Sequence, residues 1–141
     1  MTEQENTAHN IKFYSANAIC LATFLGGPLI AGYLIRANYR ALAEEQKAQQ
    51  ALVLGIVSTL IFLVALLLLP VELVDRIPNY IFPAIFTGIV GWIVEVKQGN
   101  ILRQHKENNK EFYSNWKAAG LAFLSALILF ITAVLLLLLW E

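Results

Sequence analysis

Side chains able to do chemistry are few and scattered. The 141-residue chain holds two histidines, one cysteine, a single aspartate and serines at positions 15, 58, 114 and 125. A Ser/His/Asp relay needs its three groups within hydrogen-bonding reach of one another. Ser114 and His105 lie close in sequence, but Asp75, the lone aspartate, belongs to another connection. A metal site needs several His, Cys, Asp or Glu ligands at convergent spacing, and His105 with Glu107 and Glu111 follows no such spacing. Cys20 has no redox partner, and no glycine loop is present that would cradle a phosphate. The chain is therefore expected to be non-enzymatic, with no cofactor and no metal. What remains as candidate sites are backbone and charge features: Gly26-Gly27-Pro28, Arg36, Glu95 and His105.

The elements that carry these residues follow from composition. Hydrophobic residues make up 58% of the chain and charged ones 14%, against about a quarter charged in a soluble domain. Uncharged runs cover 13–35, 51–69, 77–94 and 118–140, each close to the roughly 20 residues a helix needs to cross about 30 Å of hydrocarbon. The expected fold is all-α: an integral membrane four-helix bundle of two tandem helical hairpins. A polar tail over 1–12 precedes a membrane domain over 13–141, with spans at about 13–35, 51–70, 79–96 and 117–140. The first span lacks a basic leader and a small-residue cleavage site, so it is expected to be retained. A net charge of zero gives no reason to expect nucleic acid as a partner.

Orientation follows from Lys and Arg, which are held on the cytoplasmic side. The first and third connections carry Arg36, Arg40, Lys47, Lys97, Arg103, Lys106, Lys110 and Lys117, and the other side carries only Lys12 and Arg76. With four spans this predicts both termini on the non-cytoplasmic side, and it separates His9 from His105.

Local signals place the ends of the later helices. Ser114 or Asn115 caps the last helix, Pro83 suits the first turn of the third, and Glu107-Asn108-Asn109-Lys110 reads as the turn that ends it. The segment 47–69 aligns with 117–139 at an offset of 70, consistent with an old duplication. In lipid, helices associate through small residues and a few polar contacts. Small stripes run through Ala16, Cys20, Thr23, Gly27 and Ala31; through Ala51, Gly55, Ser58 and Ala65; through Thr87, Gly88 and Gly91; and through Ala118, Ala122, Ser125 and Thr132. The leucine runs 66–69 and 135–139 are expected to face lipid. The partners implied are membrane lipids and other transmembrane helices, of the same chain or of a larger complex.

Gly26-Gly27-Pro28 interrupts the first span, since Pro28 lacks the amide that would bond to the carbonyl of Phe24. Three readings are open: a plain kink, a close contact with a neighbouring helix, or a broken helix that exposes backbone to a transported ion or substrate. Glu95 and Arg36 flank the same ends of their spans, where a pair between them is plausible. His105 is expected to be a solvated histidine at the membrane surface.

The segments Phe24-Leu25-Gly26-Gly27-Pro28-Leu29, Asn38-Tyr39-Arg40, Gln98-Gly99-Asn100-Ile101, His105 and Ser114-Asn115-Trp116-Lys117 resemble a group of small four-helix bacterial inner-membrane proteins. That resemblance implies a bacterial inner membrane and four helices. It implies no activity and no catalytic residue.

Overall fold

The computed structural model describes residues 11–140. Along the chain run five helices: α1 (Ala16–Ala41), α2 (Glu45–Leu68), α3 (Val71–Arg76), α4 (Ile81–Glu107) and α5 (Asn115–Trp140). Among the described residues there is no strand beyond an isolated bridge between Phe13 and Phe112. The protein is thus all-helical, and four of its helices are long and apolar enough to cross a membrane. The short α3 lies in the second connection, where no helix was expected.

Helix ends follow local chemistry. Ser15, in extended conformation, opens α1 by accepting the Ala18 N–H on its hydroxyl at 3.1 Å, which satisfies one of the free amides of a first turn. Ser114 does the same for Trp116 at the start of α5, at 3.2 Å. Pro83 stands in the first turn of α4, where its missing N–H has no partner to lose. α4 ends where Asn109 takes a left-handed conformation, φ 51°, and asparagine tolerates that conformation better than most residues.

α1 departs from a single straight span. Its 26 residues would measure about 39 Å if straight, at about 1.5 Å per residue. Yet Tyr14 and Asn38, at opposite ends of the element, are hydrogen-bonded twice: the Tyr14 N–H donates to Asn38 Oδ1 at 2.8 Å, and Asn38 Nδ2 donates to the Tyr14 carbonyl at 3.0 Å. The helix doubles back at Gly27, whose φ of 77° and ψ of −167° fall in a region open essentially to glycine alone. Two antiparallel arms result, 16–26 and 28–41, about 16 and 21 Å long. Pro28 therefore occupies the first turn of the second arm and breaks no bond within a continuous helix. The reversal brings residues 11–15 to the end of the bundle that holds the α1–α2 and α4–α5 connections. There the Tyr113 N–H donates to the Phe13 carbonyl at 2.9 Å, and Lys12 pairs with Glu111 at 2.9 Å. Trp140 lies at the opposite end of the bundle, whereas a straight first span would have put both ends of the chain together. The two halves of the chain also differ, since α4 is continuous where α1 reverses.

The folded α1 is the hub: α2, α4 and α5 each pack chiefly against it. Lipid supplies no hydrophobic force between helices, so close backbone approach must supply the contact energy. On the second arm, a Cβ added to Gly32 would lie 2.7 Å from the Ala51 carbonyl oxygen, and one on Gly55 would lie 2.9 Å from the Gly32 Cα. On the first arm, a Cβ at Gly26 would come within 2.6 Å of the Ala122 carbonyl oxygen. The expected stripe on α5 holds, with Ala118, Ala122 and Ser125 buried. On α2 it is rotated: Ala48, Gly55, Thr59 and Leu63 are buried, while Ser58 and Ala65 are exposed. Thr59 can face inward because its hydroxyl donates to the Gly55 carbonyl at 2.8 Å. Gly88 is exposed, and a Cβ added there would meet no neighbouring helix within 4 Å. The leucine run 135–139 is exposed except at half-buried Leu136, whereas in 66–69 only Leu68 is exposed and the other three are half-buried.

These contacts predict an asymmetry. Gly55→Leu sets a side chain against backbone that cannot yield and should destabilise by at least the roughly 1–3 kcal/mol typical of overpacking, whereas Leu137→Ala should leave stability nearly unchanged. Thermal unfolding of the purified chain in mild detergent reads both, and equal damage from the two would show the faces assigned the wrong way round.

Candidate functional site

The reversal creates two unusual places, a tip inside the bundle and a base at its polar end. At the tip, the first arm ends with carbonyls that have no helical partner. Ser125 of α5 donates its hydroxyl to the Gly26 carbonyl at 2.9 Å, and it does so fully inside the protein. Thr23, one turn earlier, turns its hydroxyl back on the Ile19 carbonyl at 2.7 Å. Leu129 covers Gly27 on the α5 side.

At the base, two amide side chains hold the arms closed. Asn38 uses its carbonyl oxygen and one amide hydrogen on the backbone of Tyr14, and it also donates to Gln98 Oε1 at 3.1 Å. Gln98, from α4, donates to the Ile35 carbonyl at 3.3 Å. Asn38 is 1% exposed and Gln98 2%. A buried amide is costly when unpaired and specifies a single arrangement when satisfied. Neither residue stood out in the sequence as a site, although both lie near the ends of apolar stretches, where a lone amide marks a place needing a polar partner.

His105 joins the same end and corrects its expected solvation: it is 5% exposed. Its ring packs edge-on against Phe13 at 4.7 Å and Phe112 at 4.8 Å. Nε2 lies 2.8 Å from the Glu111 carbonyl oxygen, so that nitrogen carries the proton and donates. Tyr14 stacks on Tyr113 at 4.6 Å, and burial, followed by the neighbouring Tyr113 and Tyr33, pushes its phenol pKa up. The exposed Glu111 carboxyl is held below its usual range by the hydrogen bond and charge of Lys12.

The Glu95–Arg36 pair that the sequence left open does not form. Glu95 pairs with Arg103 farther along α4, and its carboxylate lies over Gly99, where a Cβ would sit 3.1 Å from the carboxyl carbon. Among the described residues the buried Nε of Arg36 has no hydrogen-bond partner, and the same holds for Thr87 Oγ1. His9 lies outside the described residues. Among those residues no cluster of His, Cys, Asp or Glu is placed to hold a metal.

Beside the second arm, between α2 and α4, lies a cleft of about 450 Å³. Its walls include Pro28, Ile35, Leu54, Phe86 and Val90, and Lys47 and Lys97 also line it. Thr23, Thr87 and Glu95, which an ion path along the broken helix would recruit, are not part of it. Comparison with protein-family models, with curated proteins and with solved structures finds no match.

The tip and base respond differently to substitution. Asn38→Leu strands the Tyr14 backbone and the Gln98 amide, and it should cost at least about 2 kcal/mol, on the scale of about 1–3 kcal/mol per buried unsatisfied group. It should also free residues 11–15, read as faster tryptic cleavage after Lys12. Gly27→Ala should destabilise by about 1–3 kcal/mol through its backbone conformation alone, whereas Pro28→Ala should cost less than about 1 kcal/mol. A Pro28→Ala loss as large as that of Gly27→Ala would contradict the reversal.

Proposed function

We propose that this chain is a non-enzymatic multi-pass protein of the bacterial inner membrane, acting as an accessory subunit or homo-oligomer through helix faces that its own fold leaves uncovered. One observation carries the reading. The folded α1 reaches only part of the way along the bundle, and beyond its tip α2 has no buried residue after Leu63, α4 none before Val90 and α5 none after Ser125. Helices in lipid gain association energy only through such packing, so three apolar half-helices without a common core suit contact with other transmembrane helices. The resemblance to small bacterial inner-membrane proteins supports the same location.

The charge distribution supports an orientation. With α1 entering the bilayer and returning, α2, α4 and α5 are the three crossings. Nine of the ten Lys and Arg residues then fall at the base end, with Arg76 the exception. The positive-inside rule sets that end in the cytoplasm, so residues 11–15 face the cytoplasm and Trp140 lies across the membrane. This replaces the orientation with both termini outside, which followed from a straight first span.

A transport role is the second reading, and the broken α1 favours it. Against it stands the Ser125 hydrogen bond, which satisfies the Gly26 carbonyl internally, and the absence of any Asp, Glu, Lys, Arg or His between Cys20 and Arg36.

Two measurements test the proposal. A cysteine replacing Lys12, in a Cys20→Ser background, should be labelled from the cytoplasmic side, and a periplasm-dependent reporter fused after Trp140 should be active; labelling from outside would restore a straight α1. Light scattering of the protein in mild detergent should give a mass above the 15.7 kDa monomer or a stoichiometric second chain. A clean monomer with no companion, together with substrate flux in liposomes, would favour transport.

A further inference from the structure

The cleft beside the second arm differs along its length in a way that selects a ligand. Its deep part is walled by Pro28, Gly55, Phe86 and Val90, and its base-end lining includes Lys47, Gln50 and Lys97. Lys47 and Ser58, both lining residues of α2, stand about 16 Å apart along the helix axis at about 1.5 Å per residue. Lys97 and Phe86 stand equally far apart on α4. That length is close to half of the about 30 Å of bilayer hydrocarbon, which is the depth of one leaflet and of one acyl chain. The cations are not equivalent. Lys47 already pairs with Glu44 and sits 5.8 Å from the centre of the Tyr39 ring, whereas Lys97 forms no ion pair among the described residues. The carboxylate nearest in sequence to Lys97, Glu95, is committed to Arg103.

We propose that this cleft binds one anionic phospholipid of the base-side leaflet, with an acyl chain lying along the second arm between α2 and α4 and the headgroup phosphate held by Lys97 and Lys47, assisted by the Gln50 amide. The apolar wall accounts for the chain, and the free ammonium of Lys97 accounts for the negative headgroup. A zwitterionic lipid would fill the wall and bring the same phosphate, but its own choline cation would compete with Lys97 for that charge. The bound chain also supplies packing for Gly55 and Pro28, where the second arm and α2 meet through backbone. The inference rests on the membrane placement proposed above but not on the subunit role, since a monomer would bind the same lipid.

Native mass spectrometry of the full chain in neutral detergent, titrated with phosphatidylglycerol or with phosphatidylcholine of identical acyl chains, tests it. One phosphatidylglycerol should bind in preference to phosphatidylcholine. Lys97→Gln and Lys47→Gln should each reduce that preference, Lys97→Gln by roughly fivefold, the scale of one basic residue at an anionic surface, and Lys106→Gln, away from the cleft, should not. Ser58→Trp, which narrows the deep end, should weaken long-chain phosphatidylglycerol while leaving its weak dihexanoyl analogue unaffected. Retention volume and helicity identify any variant that fails to fold, and the lysine variants, being at the surface, keep the test independent of Ser58. Equal binding of the two headgroups would overturn the proposal. So would loss of preference in Lys106→Gln as large as in Lys97→Gln, or dihexanoyl lipid binding as tightly as long-chain lipid. A change in oligomeric mass on Ser58→Trp with lipid binding intact would also overturn it, assigning the cleft to a second copy of the chain.

Discussion

A helix that turns back inside an apolar phase must satisfy, from within the protein, every backbone group that the turn releases, because lipid offers no hydrogen bonds. The rest of this fold depends on how that demand is met at Gly27. The first arm ends with unpaired carbonyls and the second begins with unpaired amides, and a single glycine in a conformation other residues avoid joins them. Ser125 supplies a donor for Gly26, which ties α5 to the tip. At the base the demand reappears for Tyr14, a buried residue outside any helix, and the Asn38 side chain answers both of its backbone groups at once. Gln98 then completes Asn38 and caps the Ile35 carbonyl, which ties α4 to the base. Satisfaction of the reversal thus recruits two of the surrounding helices.

The third helix is recruited by shape. α2 meets the second arm where Gly32 and Gly55 bring backbone against backbone, with Ala51 beside them. Such an approach is open only to residues without side chains, and in lipid it is the main source of association energy. The consequence is a bundle organised around a central element and not around a shared core. Its three long helices are held at one end by the arms. Toward Leu68, Ile81 and Trp140, side chains such as Phe62, Phe82 and Phe86 make the remaining contacts between α2 and α4.

How much of this was legible follows from which signals are local. The Ser114 cap, the turn at Asn108-Asn109 and the exposure of the leucine run 135–139 depend on neighbours in sequence, and the sequence carries them; the Ser15 cap was not read, because the uncharged run already begins at Phe13. The reversal was not legible, because Gly26-Gly27-Pro28 suits a kink as well as a turn, and the uncharged stretch 13–35 is long enough for a span. One trace of it was present. Lys12 was one of only two basic residues on the sparsely charged side, and the reversal removes that exception. The stripe on α2 was misphased for a related reason: Ser58 and Thr59 are equally small and polar, and only the position of the second arm decides which faces inward. His105 was read as solvated because Phe13, which covers it, reaches α4 only after the chain has folded back.

The same reversal explains the charges at the polar end. Glu95 lies at the base-side edge of the apolar part of α4, where an unpaired carboxylate is expensive. It is accommodated by bending along the helix over Gly99 toward Arg103, and that path leads to the base, where the connections and the N-terminal segment gather. Arg36 takes no part in that pairing, and its buried Nε has no hydrogen-bond partner among the described residues; the interior of the base is closed by Asn38 and Gln98, two neutral amides bonded to one another. The fold therefore keeps its ion pairs at the rim and gives the interior of the base to amide hydrogen bonds, which need no counter-charge and lose nothing when screened by salt. A helix folded back and anchored in that way is held by directional contacts at its ends and by close packing along its length, so its depth in the bundle is fixed without any ion pair in the interior.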